Sequence, residues 1–336
     1  MASGIRVLLS DTSDPWFNLA TEDWIFRELD PSLRTLFLWR NRESVVIGRH
    51  QNPWVECRVA EMERDGVALA RRQSGGGTVF HDLGNSNYTF LAASGQYRQD
   101  DNFAVVIAAL ARLGLSAERS GRNDILVEGF KVSGSAFKHT RGRSFHHGTL
   151  LINADLERLE NYLNPVARRM EAKGIRSVRS PVANLTRWVP DLDHQKMCSA
   201  LVDSFCAYYD TGVEPELLDR RSLESIPSLR AYYERMQDWD WRFGRTPEFS
   251  LELERRFDWG RVSLTLRVNH GVIEDAEVRP GALDAGFRAT LEGALAGAVY
   301  RSAELRSRLQ ELGESDPARA ALIEDIADWL GKEGTL

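Results

Sequence analysis

Residues 124–138 read DILVEGFKVSGSAFK. A short β-rich run ends at Glu128-Gly129-Phe130 and a second begins at once, so the stretch predicts two strands joined by a tight turn. Downstream, RSFHHGTLLIN (143–153) reads as another strand, and upstream SNYTFLA (86–92) as one more. Between them, DNFAVVIAALARLGL (101–115) sets Phe103, Val106, Ile107, Leu110 and Leu113 at helical spacing, with Gly114 as the stop. Strands that come as hairpins with helices between them predict an α+β architecture with a mixed or antiparallel sheet, not a doubly wound parallel one.

Further out, SDTSDPWFNLATEDWIFREL (10–29) predicts a helix with Asp14 as N-cap and Pro15 at its first position. TLFLWR (35–40) and SVVIGR (44–49) read as a hairpin about Asn41-Arg42-Glu43, and PWVECRVAEMERDG (53–66) as a helix ending near Gly66. The pattern loosens over 161–187, becomes helical over 193–209, and is irregular and rich in tryptophan and tyrosine over 210–248. A fresh unit starts near Phe249: Val262, Leu264, Leu266 and Val268 alternate, Asn269-His270-Gly271 offers a turn, and two helices close the chain, the last from Ser315-Asp316-Pro317. The boundary falls near residue 246, dividing a larger domain (1–246) from a small α+β one (247–336).

The 336 residues are 43% hydrophobic and 27% charged, enough for a packed core, with a net charge of −6. That mild acidity argues against a general nucleic-acid binder. No apolar run approaches a membrane span, and the opening MASGIRVLLSD shows no signal-peptide pattern. Three cysteines (Cys57, Cys198, Cys206) make no disulfide framework, so a cytoplasmic setting is expected.

The chemistry concentrates in four places. RRQSGGGTVFHD (71–82) places Arg71 and Arg72 before Gly75, Gly76 and Gly77. Consecutive backbone amides there can form an anion-binding concavity, with a tight turn between strands as the equal alternative on the glycines alone, and a guanidinium beside those amides favours a phosphate or carboxylate. The run lacks the lysine and hydroxyl of a nucleotide P-loop. Adjacent arginines on a strand point to opposite faces, so one at most meets a ligand and the other is expected in solvent. Lys131 follows Asp124 across the hairpin, with small residues Ser133 to Ala136 behind it. It is either a solvated strand lysine or a mobile cation that could bridge a carboxylate and an α-phosphate. His146 and His147 alternate across their strand, one of them free to line a pocket or to be structural; His81 has the same two readings. Adjacent strand histidines do not converge on a metal. The basic segment 173–187 is either a solvated loop or a lid over a nucleotide.

ARRQSGGGTVFHDLGN, GRNDILVEGFKVSGSAFK and FHHGTLLINADL, in this order, resemble the lipoate–protein ligase family. The likeness extends to DPWFNLATEDWIFREL, LFLWRNRESVVIGRHQNPWVEC and LNPVARRMEAKGIRSVRSPVANLT, and so covers nearly the whole chain. The Asn123-Asp124 and Lys131 arrangement is also similar to that of biotin–protein ligases. The resemblance implies a biotin/lipoate-ligase type catalytic domain and an accessory C-terminal one. It implies a reaction in which lipoate and ATP give lipoyl-AMP, whose acyl group passes to a lysine of an acceptor domain. The acceptors it implies are 2-oxoacid dehydrogenase E2 subunits and the glycine cleavage H protein, and the enzyme is expected to act as a monomer.

Carried over by motif, Arg72, Ser74 and the stretch Gly75, Gly76, Gly77, Thr78, Val79, Phe80 would bind the activated lipoate and nucleotide, with His81, Asn85 and Ser135 beside them. Lys131 would contact the carboxyl and α-phosphate oxygens, and Asp124 would position it or hold Mg2+. His147 would lie near the lipoyl group or adenylate. The segment 177–183, with Arg179 and Val182, would fold over the adenylate. One departure is the short Asp124–Lys131 connection of six residues; some relatives have a longer hairpin. The alternative is an octanoyl or lipoyl transferase of the same fold working through a cysteine thioester, which the expected helical positions of the three cysteines disfavour.

Overall fold

The computed structural model describes residues 4–121, 123–163, 170–172 and 181–333. The chain groups into two compact units. One comprises Met1–Arg49, Ala68–Leu159 and Ser177–Asp238, the other His50–Val67, Glu160–Arg176 and Trp239–Leu336. Among the described residues no helix is long and apolar enough to cross a membrane.

The first unit is built on a mixed six-stranded sheet. Its strands are β1 (Ile5–Ser10), β2 (Arg34–Trp39), β6 (Asn85–Ala93), β10 (Ser135–His139), β11 (Arg143–Leu151) and the strand Glu216–Leu218; two three-stranded sheets are formed by β3 (Ser44–Ile47), β4 (Ala68–Arg71) and β5 (Val79–His81), and by β7 (Ala117–Arg119), β8 (Ile125–Val127) and β9 (Phe130–Ser133). The large sheet runs β10-β11-β6-β2-β1 and then Glu216–Leu218. The β6, β11 and β10 pairings are antiparallel, while β1 is parallel to both of its neighbours.

Side chains alternate between the two faces of each strand. One face buries Leu36, Leu38, Tyr88, Phe90, His146 and Leu150. Most of these pack with Phe103, Val106 and Leu110 of the helix Gln99–Arg112 and with Met197, Leu201 and Phe205 of the helix His194–Tyr208. The other face presents Phe37, Trp39, Asn87, Thr89, Phe145 and His147, as the registers Phe37↔Thr89, Trp39↔Asn87 and His147↔Thr89 require.

Helix α1 (Pro15–Glu28) forms as its sequence predicts, with Asp14 accepting from the Trp16 amide at 3.0 Å and Pro15 in the first turn. The expected β2–β3 hairpin does not form. β2 sits between β1 and β6, whereas β3 pairs with β4 and β5 in the separate small sheet. The buried Asn41 amide explains the divergence: it is held between Asn18 (2.9 Å) and His81 (3.0 Å), so the connection is pinned by distant side chains instead of closing a tight turn. Residues 53–66 break into Pro53–Glu56 and Val59–Arg64 and are not one helix. The stretch expected to be irregular contains the helix Pro227–Gln237.

The second unit, described by itself, carries an antiparallel sheet of Met170–Ala172, Phe249–Phe257, Gly260–Asn269 and Val272–Val278. Its hairpin turns at His270 (φ 48°) and Gly271 (φ 75°), the two positive dihedrals that a tight turn between twisted strands requires. Three helices follow, Ala285–Leu295, Ser302–Ser315 and Ala320–Glu333, where two were expected.

Candidate active site

The hairpin β8–β9 turns at Glu128 (φ 50°) and Gly129 (φ 81°). A register shift between Ile125 and Leu126 leaves one extra residue on β9. Such a bulge re-aims side chains, and here Lys131 Nζ lies 2.9 Å from Asp124 Oδ1, with both side chains largely buried. Asn123 (φ 63°) anchors the approach, its Oδ1 accepting from Gln99 Nε2 (2.9 Å) and Arg119 Nη2 (2.6 Å). A Cβ on Gly134 would come within 3.1 Å of Lys131 Cε and Nζ, so the small residue is what lets the ammonium fold back to Asp124. The backbone of Lys131 is also paired: its amide donates to Pro181 O (3.0 Å) and its carbonyl accepts from Ala183 N (3.1 Å), which lays the half-exposed Val182 beside the lysine. Arg179 lies outside the described residues.

The glycine loop is held from behind. Arg72 Nη2 donates to Gly75 O (2.8 Å) and Gly77 O (2.7 Å), Nη1 to Val46 O (3.0 Å) and Nε to Ser74 Oγ (3.1 Å). Arg72 therefore grips the loop from within it. Burial pushes this guanidinium down to about 10, opposed by the nearby Glu22, so it remains cationic at neutral pH. Arg71, expected in solvent, is fully buried, and its Nη1 donates to Arg49 O at 2.9 Å. The sheet partner β3 draws the chain that follows it over Arg71, so both arginines end inside. Gly76 has φ 93°, and a Cβ on Gly48 would lie 2.3 Å from Gly76 O, so glycine is needed at both positions. Beyond the loop, β5 leaves Phe80 buried, Val79 half-buried and Thr78 buried.

His147 reaches this loop from β11: Nε2 is 2.7 Å from Ser74 Oγ, and Nδ1 is 2.8 Å from Glu22 Oε1. Glu22 also accepts from Thr89 Oγ1 (2.7 Å), which accepts from Trp39 Nε1 (3.1 Å). A second buried cluster adjoins it. Asp23 accepts from Arg27 Nε (2.8 Å) and Gln73 Nε2 (3.0 Å), and Gln73 Oε1 accepts from Arg49 Nη1 (2.7 Å) and Lys138 Nζ (3.1 Å). Burial lowers Lys138 to about 8, with Asp23 opposing the shift. Phe37, Trp39 and His81 form an aromatic wall on this face, the rings 6.2 and 6.0 Å apart.

His81 Nδ1 accepts from Asn41, so its proton sits on Nε2, and that buried atom has no hydrogen-bond partner among the described residues; neither do Asn85 Oδ1 and Asn87 Nδ2. Buried polar atoms are rarely left unpaired. Burial, with the Arg72 charge adding, holds His81 down at about 3 and so neutral. Ser135 is not part of this face: its hydroxyl lies 3.3 Å from Tyr88 on the opposite side of the sheet.

The sequence alone does not single out Glu22, Asp23, Trp39, Gln73, Thr89 and Lys138. The available signal is the run Asn18, Thr21, Glu22, Asp23, which interrupts any clean apolar stripe on α1. Cys198 packs on the core helix His194–Tyr208, where burial pushes its thiol up to about 12, and Cys57 is buried in the other unit.

A paired lysine, a glycine loop and an aromatic wall on an α+β sheet suit an enzyme of the acid–lysine ligase class, and the comparisons with known proteins place the chain in it. Residues 14–206 match the model of the lipoyl protein ligase A/B catalytic domain and residues 246–330 that of the bacterial lipoate protein ligase C-terminus. The lipoate-protein ligase A of Psychrobacter cryohalolentis is 50% identical over 97% of this chain and 98% of its own. The crystal structure of P. falciparum LipL1 in complex with lipoate superposes with a TM-score of 0.65 at 29% identity, covering 98% of this chain and all of that one. The bipartite lipoate protein ligase of Thermoplasma acidophilum, from a study with its E2 lipoyl domain, matches 72% of this chain and 96% of that one, with a TM-score of 0.61 at 25% identity. The chain belongs to the lipoate–protein ligase family.

Proposed function

We propose that this ligase activates free lipoate with ATP and then transfers the lipoyl group to a lysine of an acceptor domain. The observation that carries the reading is the Lys131 ammonium, held 2.9 Å from Asp124 beneath the paired segment 181–183. A carboxylate oxygen of lipoate attacks the α-phosphorus of ATP, forming the acyl phosphate bond as pyrophosphate leaves. The acceptor amine then attacks the acyl carbon, AMP leaves with the electron pair of the broken bond, and the amine loses a proton to give the amide. Lys131 meets the negative charge that builds on the phosphorus and carboxyl oxygens, the role in which a preorganised cation helps most. The glycine loop offers amides to the phosphates, and the Phe37–Trp39–His81 wall suits an apolar acyl tail.

Magnesium fits as a partner of ATP and not as an ion caged by the protein. Among the described residues no group of three acidic, histidine or cysteine side chains could hold a metal, and Mg2+ is commonly bound through one or two carboxylates plus substrate phosphates. Asp124 is the residue here that would hold it, and the ion would supply charge neutralisation. The E2 and H-protein acceptors, action as a monomer and a cytoplasmic setting remain part of this reading; the free cysteines suit a reducing compartment. A thioester route is not favoured, because a reactive cysteine needs a lowered pKa and Cys198 has a raised one.

Lipoate-dependent release of pyrophosphate from ATP tests the proposal. The wild-type protein is expected to show it, and Lys131→Ala to slow it by roughly 100- to 1,000-fold, the scale of losing one oxyanion-stabilising group. Acyl transfer from an acyl-carrier thioester without nucleotide would refute it.

A further inference from the structure

Glu22 is a buried carboxylate in the middle of α1, and the reaction written above gives it no role. We propose that Glu22 is a positioning residue for the glycine loop, acting through His147 and Ser74; the inference rests on the ligase reading. Five donors point toward this one carboxylate along two branches. On one, Trp39 Nε1–H donates to Thr89 Oγ1 (3.1 Å), which commits the Thr89 proton to Glu22 Oε1 (2.7 Å). On the other, Glu22 takes the Nδ1 proton of His147 (2.8 Å), which fixes the tautomer and leaves Nε2 to accept from the Ser74 hydroxyl (2.7 Å). Ser74 Oγ in turn accepts from Arg72 Nε (3.1 Å). With the carboxylate gone, every donor along both branches loses its terminal acceptor. Its charge also faces the buried Arg72 guanidinium and offsets part of the burial penalty there.

The second branch ends on the peptide planes of the loop. Arg72 Nη2 holds Gly75 O at 2.8 Å and Gly77 O at 2.7 Å. In a trans peptide the N–H of the next residue points opposite to the C=O. Gripping the Gly75 carbonyl therefore turns the amide of Gly76 away from Arg72, on a loop where Gly76 is exposed and Gly75 borders open space. An amide so aimed is what an incoming phosphate needs. Glu22 thus sets the orientation of a donor that it does not touch.

The test is a double-mutant cycle on the full chain, read as lipoate-dependent pyrophosphate release. Glu22→Leu keeps the approximate volume and removes both the charge and the acceptor oxygens, and Ser74→Ala cuts the branch downstream. Each single change is expected to raise the KM for ATP on the order of tenfold, the scale of losing a hydrogen bond to a charged group, with a smaller effect on the KM for lipoate. The double variant is expected to be no worse than the weaker of the two single variants, because both cut one chain. Multiplying losses, or a Glu22→Leu enzyme within twofold of wild type, would overturn the proposal. If Glu22→Leu does not fold, His147→Phe, which cuts the same branch between Glu22 and Ser74, takes its place in the cycle, with coupling supporting the proposal and additivity refuting it. A wild-type enzyme without pyrophosphate release would instead refute the ligase reading.

Discussion

Acid should destabilise the first unit through three histidines that it holds in neutral form, two of them buried and His194 half-buried. His81 is held at about 3 and His194 at about 4, both mainly by burial, and His146 well below its usual range by burial with His147 and Arg119 adding to the effect. His146 is fully buried, with Tyr88, Phe90, Phe103 and Phe137 around it and, among the described residues, no hydrogen-bond partner on either ring nitrogen. For each of these groups the folded pKa lies below the unfolded one, about 6.5. Between the two values the unfolded chain binds a proton that the folded one refuses, so stability is full above about pH 6.5 and falls as pH drops toward 4. From pH 7 to 5.5 each histidine contributes a loss of about 1.2 kcal/mol, and the three together ~4 kcal/mol. Urea unfolding followed by tryptophan fluorescence measures this. The free energy should fall steeply over that range in wild type and by about a third less in His146→Leu. A flat profile, or a His146→Leu profile parallel to wild type, would show that these rings are not held neutral in the fold.

Gly48→Ala should cost both stability and activity, because its Cβ would sit 2.3 Å from the Gly76 carbonyl; a melting temperature and pyrophosphate release matching wild type would rule this out. Asp14→Ala should lower stability by about 2 kcal/mol in urea unfolding, since Asp14 caps α1 and also accepts from Tyr233 (2.8 Å) and Arg220 (2.6 Å). Replacing Cys57, Cys198 and Cys206 together with alanine or serine should leave the lipoylation rate per folded enzyme unchanged; loss of rate in a folded variant would reopen the thioester route.

Much of the working hairpin is legible in the chain itself. The turn at Glu128-Gly129, the small residues after Lys131 and the seven-residue offset to Asp124 are local features, and they place the two charges together once the hairpin closes. The glycine loop is equally visible. What its arginines do is not: alternation along a strand says that neighbours face opposite ways, but not that both faces will be covered, and both arginines are buried. Nearness in sequence misleads for β2 and β3, because strand partners are chosen by burial across the whole sheet.

The sequence by itself determined the capped helix at Asp14-Pro15, the helices Gln99–Arg112 and His194–Tyr208, the strand alternation of the second unit and the lysine–aspartate hairpin. Each of these follows from caps, periodicity or turn residues lying within a few positions of one another. Tertiary structure alone decided the polar interior of the site. Glu22 meets His147 across 125 positions of chain, and Ser74 meets it across 73. No local pattern encodes such contacts, because whether a buried carboxylate is tolerated depends on donors that only the folded chain brings to it.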